Sequence, residues 1–258
     1  MDLATLIGIV LAFAAIMISM VMEGGNPAAI IAPPAMLLVF VGTFGVAMAS
    51  GLMKDTVTSL KTLSKAILTK AHAADDTIGA VMDLAERARR EGLLALEEAA
   101  KSVSDPFLKK GIEMAVDGTD PDELREILEA EITAARQRGK ASGKLFESMG
   151  GFAPTLGIIG TVLGLVHVLE NLSEPDKLGP LISGAFIATL WGVMSANVFW
   201  LPIGNKIKRM TEVECHHMEL VLEGVLSVQA GSNPRIIEQK LLSLMGTAPQ
   251  ASEMEQAA

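Results

Sequence analysis

The chain has 258 residues, 50% of them hydrophobic, with a mean hydropathy of +0.41 and a formal net charge of −9. This composition is typical of a small integral membrane protein, and the acidic balance argues against nucleic acid as a partner. The single cysteine, Cys215, excludes an intramolecular disulfide and any zinc site built from several cysteines.

Two long apolar runs open the chain, at residues 3–22 and 35–53. No Lys or Arg precedes the first run and no small-residue cleavage pattern follows it, so we predict a retained membrane span rather than a signal peptide. Pro33 and Pro34 stand just before the second run, where the first turn of a helix tolerates proline. Each run has about the 20 residues that a helix needs to cross a bilayer.

The segment 54–148 is polar and helical in pattern. Asp105-Pro106 and Asp120-Pro121 each combine a capping residue with a first-turn proline, which predicts two helix starts. A charged stretch precedes them, with Arg89 and Arg90 before Gly92, and Glu97 and Glu98 after it. Opposite charges on either side of a helix break can bind a partner of complementary charge. The alternative is an ordinary solvated helical face.

Two further apolar runs of about 20 residues flank a polar turn at 170–179, which predicts a helical hairpin in lipid. A buried hairpin in a soluble core is the alternative. Small residues recur at helical spacing on both runs, which favours close helix packing. They are Gly157, Gly160, Thr161 and Gly164 on the first run, and Gly184, Ala188, Gly192 and Ala196 on the second.

No Asp, Glu, Lys or Arg lies between Phe152 and Val166 or between Pro180 and Leu201. A transporter that moves cations through its own chain usually keeps a carboxylate inside the membrane. Only hydroxyls of this chain could therefore contact an ion within the hairpin. If the chain conducts, we expect the charged group to come from another polypeptide.

Positive charge predicts the orientation of the spans, because cytoplasmic loops are rich in Lys and Arg. The loops between spans 1 and 2 and between spans 3 and 4 contain Lys177 as their only Lys or Arg. We therefore expect the N-terminus, the loop and the C-terminal tail to be cytoplasmic. The basic residues that decide this are Lys54, Lys61, Lys65, Lys70, Arg136, Arg138, Lys140, Lys144, Lys206, Lys208 and Arg209.

The predicted fold is an all-α integral membrane protein with four transmembrane helices, a large helical cytoplasmic loop between helices 2 and 3, and a helical cytoplasmic tail. The domains are transmembrane helices 1 and 2 (1–53), a cytoplasmic helical domain (54–148), transmembrane helices 3 and 4 (149–203), C-terminal cytoplasmic helices (204–245) and a disordered tail (246–258). Asn233-Pro234 starts a short helix before that tail.

Several stretches resemble the flagellar stator A subunits, MotA and PomA. They are MDLATL at the start, RR-x-GLLALEE at 89–98, APTLGIIGT at 153–161 and ATLWG at 188–192. Pro202 and the GVLSV…GSNP pattern at 224–234 fit as well. The similarity runs in one register from residue 1 to about 245. The wider superfamily, which includes ExbB and TolQ, shares only the last hairpin.

The resemblance implies a multi-pass protein of the inner membrane that is not an enzyme, with no catalytic residue, metal or cofactor. Such subunits form a homo-oligomeric ring, a pentamer by resemblance, around helices of a MotB/PomB-like B subunit that supplies the ion-binding aspartate. Transported H⁺ or Na⁺ passes between that aspartate and the last two spans, and the ring pushes a FliG-like rotor switch protein.

By position, the resemblance implies an ion path with Thr161, Thr189, Pro154 and Pro202, and a rotor contact with Arg89, Arg90, Glu97 and Glu98. We predict that Thr161 and Thr189 face one another where the last two spans meet the partner's helix. Threonine hydroxyls and freed carbonyls would then supply the oxygen ligands that a cation in hydrocarbon requires. The alternative is that each hydroxyl only bonds the preceding helical turn, as intramembrane threonines often do.

The chain departs from the family in two places. Some members carry another acidic residue shortly after the Glu pair, where this chain has Ala99 and Ala100. Sodium-type members tend to have two adjacent threonines in the fourth span, but here the first is Ala188. Thr161 occupies a position that is threonine in sodium-type members. The resemblance therefore leaves the choice between proton and sodium open.

The sequence leaves three candidate functions. The first is a stator subunit that, with a B subunit, converts ion flow into torque on the flagellar rotor. The second is an ExbB/TolQ-type motor subunit that energises an envelope process, although such proteins typically have three spans. The third is a self-contained secondary transporter, which would need an intramembrane charge or a pair of broken helices.

Overall fold

The computed structural model describes residues 4–68 and 74–245, and within them every regular element is helical. The predicted tail at 246–258 lies outside the described residues. The helices are α1 Ala4–Met22, α2 Pro33–Ala49, α3 Met53–Leu68, α4 Ala74–Glu91, α5 Leu96–Ser102, α6 Pro106–Val116, α7 Pro121–Glu170, α8 Pro175–Ser195, α9 Leu201–Gln229 and α10 Pro234–Leu244. The all-α class predicted from the sequence is confirmed for this part of the chain.

Three helix starts are where capping chemistry predicted them. The Asp105 carboxylate accepts hydrogen bonds from the backbone N–H groups of Phe107 and Leu108, at 2.8 and 3.3 Å. The Asp120 carboxylate accepts a hydrogen bond from the N–H of Asp122 at 2.9 Å. At the start of α10, the side-chain oxygen of Asn233 accepts one from the N–H of Arg235 at 3.1 Å. Each cap satisfies donors that the first turn leaves without a helical partner, so α6, α7 and α10 begin at the following proline.

Within residues 4–68 and 74–245, three continuous helices are long and apolar enough to cross a membrane. They are Ala4–Met22, Pro121–Glu170, and Pro175–Gln229, which combines α8, a π-helical segment Ala196–Trp200 and α9; their most apolar windows have mean hydropathies of 2.6, 1.9 and 1.5. The run predicted at 35–53 is broken: α2 ends at Ala49 after 17 residues, and α3 begins at Met53.

The predicted polar turn at 170–179 is shorter than expected. The helix α7 ends at Glu170, and α8 begins at Pro175 with Lys177 paired to Glu174 at 2.6 Å. Because its first position suits a proline, the helix starts inside the polar stretch, and Pro180 lies within α8 instead of opening it. The apolar pattern alone therefore placed the start of this helix too late.

The chain divides into two compact units, Met1–Lys70 with Arg138–Met210, and Ala71–Gln137 with Thr211–Ala258. The first unit contains the apolar helices. Within it, Trp191 of α8 donates its indole N–H to the carbonyl of Ile30 at 2.7 Å, and the ring of Phe40 in α2 packs edge-on against the same indole. These contacts anchor α2 and the turn before it on α8.

The second unit has an apolar core assembled from α4, α5, α6, α9, α10 and the first part of α7. Its fully buried side chains include Leu96, Leu108, Ile112, Leu124 and Leu128. Gly111 lies close to Val225 across the α6–α9 contact, because a Cβ at Gly111 would lie 2.9 Å from a valine methyl. Many charged side chains of the unit lie on its surface, where they form ion pairs such as Arg136–Glu219.

Candidate functional site

The hairpin of α7 and α8 is packed through small residues of the same chain. A Cβ on Gly192 would lie 2.7 Å from the carbonyl oxygen of Ala153 and 2.9 Å from the Cα of Gly157. A Cβ on Gly157 would lie 2.9 Å from the carbonyl oxygen of Ala188. The two backbones are therefore in direct contact, at a separation that only glycine permits.

The contact continues toward the end of α7, where Gly164 lies against Ala185 and Gly160 against Ala188. The small-residue faces predicted from the sequence are confirmed, and they face each other within one chain. Gly184 is the exception, since a Cβ there would meet no atom within 4 Å. The four-residue spacing alone did not distinguish this open glycine from the packed ones.

Two threonines meet across this contact. The hydroxyl oxygen of Thr161 lies 2.5 Å from that of Thr189. The Thr161 oxygen is also 3.0 Å from the carbonyl oxygen of Ala185 and 3.2 Å from that of Gly157. The Thr189 hydroxyl reaches the same Gly157 carbonyl at 3.3 Å. Four oxygens from two helices therefore form one cluster inside an otherwise apolar hairpin.

The hydroxyl protons decide what this cluster can do. Two hydroxyls supply two protons, and one of them is used between Thr161 and Thr189. The other is left for the carbonyl of Gly157 or Ala185, so at least one carbonyl oxygen keeps a free lone pair. Both threonines are half-buried, and the cluster is not sealed inside the unit. It supplies oxygen ligands but no charge.

The alternative, in which each hydroxyl only bonds the preceding turn, does not describe the pair. Thr161 does reach the carbonyl of Gly157, four residues earlier on its own helix, at 3.2 Å. Its shorter contacts nevertheless cross to α8, and the contacts of Thr189 cross to α7. The two residues thus face one another, as the sequence analysis predicted.

The two prolines of the predicted ion path lie apart from this pair. Pro154 is inside α7, two turns before Thr161, and leaves the carbonyl of Gly150 without its helical donor. Pro202 follows the π-helical segment and lies about 20 Å along the helix from Thr189. The structure therefore brings together the two threonines of the set, but neither of the two prolines.

The four charged residues predicted to contact the rotor surround a helix break in the second unit. Arg89 and Arg90 lie in the last turn of α4, Gly92 has a φ of +88°, and Glu97 and Glu98 lie in the first turn of α5. A left-handed φ favours glycine, so the break is set by this residue. All four charged side chains are exposed, with the two cations before the break and the two anions after it.

Two of these four charged side chains form ion pairs with nearby residues of the same helix. Arg90 pairs with Glu86 at 2.5 Å and Glu98 with Lys101 at 3.4 Å, with Arg90 73% and Glu98 77% exposed. Arg89 and Glu97 have no ion-pair partner in the described part of the chain. Both pairs of charges also complement the helix dipoles, with cations at a C-terminus and anions at an N-terminus. A structural role therefore coexists with an available charged surface.

A buried polar cluster in the second unit was missed from the sequence. His217 Nε2 lies 2.6 Å from Asp105 Oδ2, and its Nδ1 lies 3.0 Å from the hydroxyl of Thr77. Burial opposes ionisation of Asp105, but the hydrogen bonds from His217, Phe107 and Leu108 outweigh it and lower the pKa of the carboxyl group. The capping role of Asp105 could be predicted from the sequence, whereas its contact with His217, 112 residues away, could not.

No group of three or more metal-ligating side chains occurs among residues 4–68 and 74–245. His216 pairs with Glu219 at 3.6 Å on one side of α9, while His217 faces Asp105. The two adjacent histidines therefore point in different directions, as expected for neighbours on a helix.

Two family models match the chain. The model of the MotA/TolQ/ExbB proton channel family matches residues 99–220, and the model of the motility protein A N-terminal region matches residues 6–92. Together they include the α7–α8 hairpin with both threonines, and also Arg89, Arg90 and Gly92, whereas Glu97 and Glu98 lie between the two matched ranges.

Named relatives match almost the whole chain. Motility protein A of Bacillus subtilis is 41% identical over 245 residues, which cover 94% of this chain and 90% of that protein. Chemotaxis protein PomA of Vibrio alginolyticus is 33% identical over 256 residues, covering 99% of this chain and 100% of PomA.

Solved structures of stator complexes are also similar to this chain. A structure of the C. jejuni MotAB complex superimposes with a TM-score of 0.91 at 32% identity, covering 95% of this chain and 96% of that one. The flagellar MotAB stator complex of Bacillus subtilis gives a TM-score of 0.87 at 38% identity, covering 99% and 100%.

Proposed function

Because the chain belongs to the motility protein A branch of the MotA/TolQ/ExbB proton channel family, we propose that its four-oxygen cluster lines the path of the transported ion. As a member of that branch, the chain is an ion-channel subunit of the flagellar stator and not an enzyme. Its relatives' names favour this function over an ExbB/TolQ-type subunit that energises an envelope process.

The hydroxyl pair of Thr161 and Thr189 is the observation that carries the proposal. A cation in hydrocarbon requires oxygen ligands, because an unsatisfied charge there is very costly. The cluster offers two hydroxyls and the carbonyls of Gly157 and Ala185, between apolar runs, 152–166 and 180–201, that contain no charged side chain. In this cluster, side-chain and carbonyl oxygens of both helices lie close together.

The negative charge must come from elsewhere. Both solved neighbours are complexes named MotAB, which supports a MotB-like partner for this chain. We propose that helices of this B subunit pass beside the half-buried threonines and supply the ion-binding aspartate. The driving force is the membrane potential, about 2.3 kcal/mol per elementary charge for each 100 mV.

We propose that the chain spans the inner membrane four times with both termini in the cytoplasm, and that five copies form a ring around the B subunit. Three helices have the required length, and α2, with 17 residues, is about 26 Å long. That is a few ångströms less than the hydrocarbon core, a mismatch that local thinning of the bilayer accommodates. The basic residues flanking the spans support the orientation.

We also propose that Arg89, Arg90, Glu97 and Glu98 contact a FliG-like rotor protein. Their exposure and their arrangement around Gly92 support this role. A surface with a cationic and an anionic side can bind a complementary surface in one register, as torque transfer requires.

The ion is tested by measuring rotation speed while sodium is replaced by potassium at fixed pH. In the parent, a loss of speed identifies sodium, whereas an unchanged speed identifies a proton motor. Thr161→Ala should reduce speed most if sodium is transported, and Thr189→Ala should reduce it with either ion while the complex still assembles. Full speed in Thr189→Ala would remove the hydroxyl cluster from the path.

A further inference from the structure

One large apolar side chain is unusually exposed on the surface of the second unit. Leu94 is 77% exposed, more than any other large apolar side chain that the structure describes in this unit. The next is Ile236 of α10, at 60%. A single exposed leucine is common on soluble proteins, so its position and its neighbours decide what it can do.

The chain places Leu94 between the cations and the anions that we propose for the rotor contact. Arg89 and Arg90 precede it in the last turn of α4. Glu97 and Glu98 follow it in the first turn of α5. All four are exposed, and Leu94 is the only exposed large apolar side chain within residues 89–98. An apolar group therefore faces solvent inside an otherwise charged segment.

A short 3₁₀ turn sets the direction of this side chain. The turn covers Leu93–Ala95 and begins after Gly92, whose φ of +88° redirects the chain at the end of α4. Side chains three residues apart in a 3₁₀ turn lie on the same side. Leu93 and Leu96 accordingly pack against the core, where Leu96 is fully buried. Leu94 lies between them and is directed outward.

Backbone hydrogen bonds hold this turn in addition to the core contacts. The N–H of Ala95 donates to the carbonyl of Gly92 at 3.2 Å. The N–H of Leu96 donates to the carbonyls of Leu93 and Leu94. Leu94 is therefore presented on an ordered backbone. Such pre-organisation lowers the entropy that is lost when a side chain becomes buried in a partner.

Charged side chains on a surface provide little affinity by themselves. Exposed ion pairs contribute little, because water and salt screen them and the long side chains lose entropy. Across an interface, charges mainly set the rate of association and the orientation of the partner. Protein interfaces combine such a polar rim with an apolar centre that is removed from water. Leu94 is in a position to supply that centre, with the four charged residues around it as the rim.

We propose that Leu94 is the apolar anchor of the rotor contact and inserts into an apolar pocket on the rotor protein. The partner that fits has carboxylates on the side of Arg89 and Arg90, and cations on the side of Glu97 and Glu98. The inference rests on the proposed rotor contact and adds to it a group without charge. One leucine buries only a small area, which suits a contact that must form and release repeatedly.

The binding test uses the full chain purified with its B subunit in lipid discs, together with the purified rotor switch protein. Leu94→Ala removes the anchor and leaves all four charges in place. Because burial of a leucine side chain is favourable, we expect this variant to bind the rotor protein about tenfold more weakly than the parent. Leu94→Met keeps an apolar side chain of similar volume and should bind nearly as the parent does.

Ile236→Ala is the matched control, because it removes another exposed apolar side chain of the second unit. This variant should leave rotor binding unchanged. All three variants should keep the melting temperature of the parent complex, since substitutions of exposed side chains have little effect on stability.

Ionic strength separates the contribution of the anchor from that of the charges. Raising the salt concentration from about 0.1 to about 1 M shortens the Debye length from about 10 to about 3 Å, which weakens the charged contacts. The difference of about tenfold between the parent and Leu94→Ala should persist over this range, because salt does not screen an apolar contact. In cells, torque at high load should fall in Leu94→Ala and recover in Leu94→Met.

The outcomes distinguish failure of the anchor from failure of the rotor contact. Unchanged binding and torque in both Leu94→Ala and Leu94→Gln, with a loss in the combined charge reversal, would overturn the anchor and keep the contact. If the charge reversal had no effect either, the rotor contact itself would fail. A benzophenone amino acid at position 94 should cross-link to the rotor protein in cells. An adduct formed only with another copy of the chain would instead assign Leu94 to a contact between copies.

Discussion

The hydroxyl oxygens of Thr161 and Thr189 lie 2.5 Å apart, on two helices whose backbones are brought together by Gly157 and Gly192. Close packing and the oxygen cluster therefore share one origin. The glycines allow the helices to approach, and that approach brings the hydroxyls and the carbonyl of Gly157 within hydrogen-bonding distance.

Thr161→Val and Thr189→Val each remove one oxygen of the cluster while nearly conserving volume. Hydrogen bonds to charged groups contribute about 1.5–3 kcal/mol, so we expect ion flux to fall about tenfold or more in either variant. Thr189→Ser retains the oxygen and should retain most of the flux. Flux into vesicles is the measurement, and co-purification of the B subunit controls for assembly. Normal flux in both valine variants would contradict the role of the hydroxyls.

Gly192→Ala should destabilise the hairpin, because the added Cβ would lie 2.7 Å from the carbonyl oxygen of Ala153. Overpacking of this kind costs about 1–3 kcal/mol. The matched control is Gly184→Ala on the same helix, where a Cβ meets no atom within 4 Å and alanine improves helix propensity. Thermal melting of the purified complex should be lower in the first variant and unchanged or higher in the second. Equal melting of both would argue against the α7–α8 contact.

Charge reversal at Arg89 and Arg90, or at Glu97 and Glu98, should weaken motility while the complex still assembles. These side chains are exposed, and an exposed pair such as Arg90–Glu86 contributes only a few tenths of a kcal/mol to stability. Lys109→Glu on α6, also surface-exposed, is the control for a change of charge alone. Torque on tethered cells is the measurement, and rescue by an opposite change on the rotor protein would support direct contact. Unchanged torque in the combined reversal would exclude it.

Asp105 makes the stability of the second unit depend on pH. Its pKa is lowered in the folded chain, so its contribution is fully present above the ordinary aspartate pKa of about 3.9. That contribution is lost as the pH falls from there through the lower, folded pKa. We expect amide hydrogen exchange in α6, corrected for its intrinsic pH dependence, to accelerate over this acidic range.

Two substitutions separate the helix-capping role of Asp105 from the role of its negative charge. Asp105→Asn keeps a capping oxygen but not the charge beside His217, so the acid-dependent part of the exchange should disappear. Asp105→Ala also loses the cap and should cost about 1 kcal/mol more. Asp83→Asn, at an exposed position of α4, should leave the acid dependence as in the parent. If it removed that dependence too, the effect would not belong to the buried cluster.

Local patterns were sufficient for much of the fold. The starts of α6, α7 and α10 follow from an Asp or Asn followed by proline, because capping needs only neighbouring residues. The break at Gly92 likewise follows from one residue. The apolar run at 35–53 was misleading, because hydropathy alone did not detect that the helix ends at Ala49.

The sequence by itself determined the membrane class, the small-residue faces and the absence of charge inside the hairpin, because composition and helical spacing are local properties. Only the tertiary structure decided that Thr161 and Thr189 share the carbonyl of Gly157, that Gly184 is open while Gly192 is packed, and that His217 bonds Asp105. These relationships join residues that are distant in the chain. They depend on the rotation and approach of packed helices, which the spacing of residues along one helix does not specify.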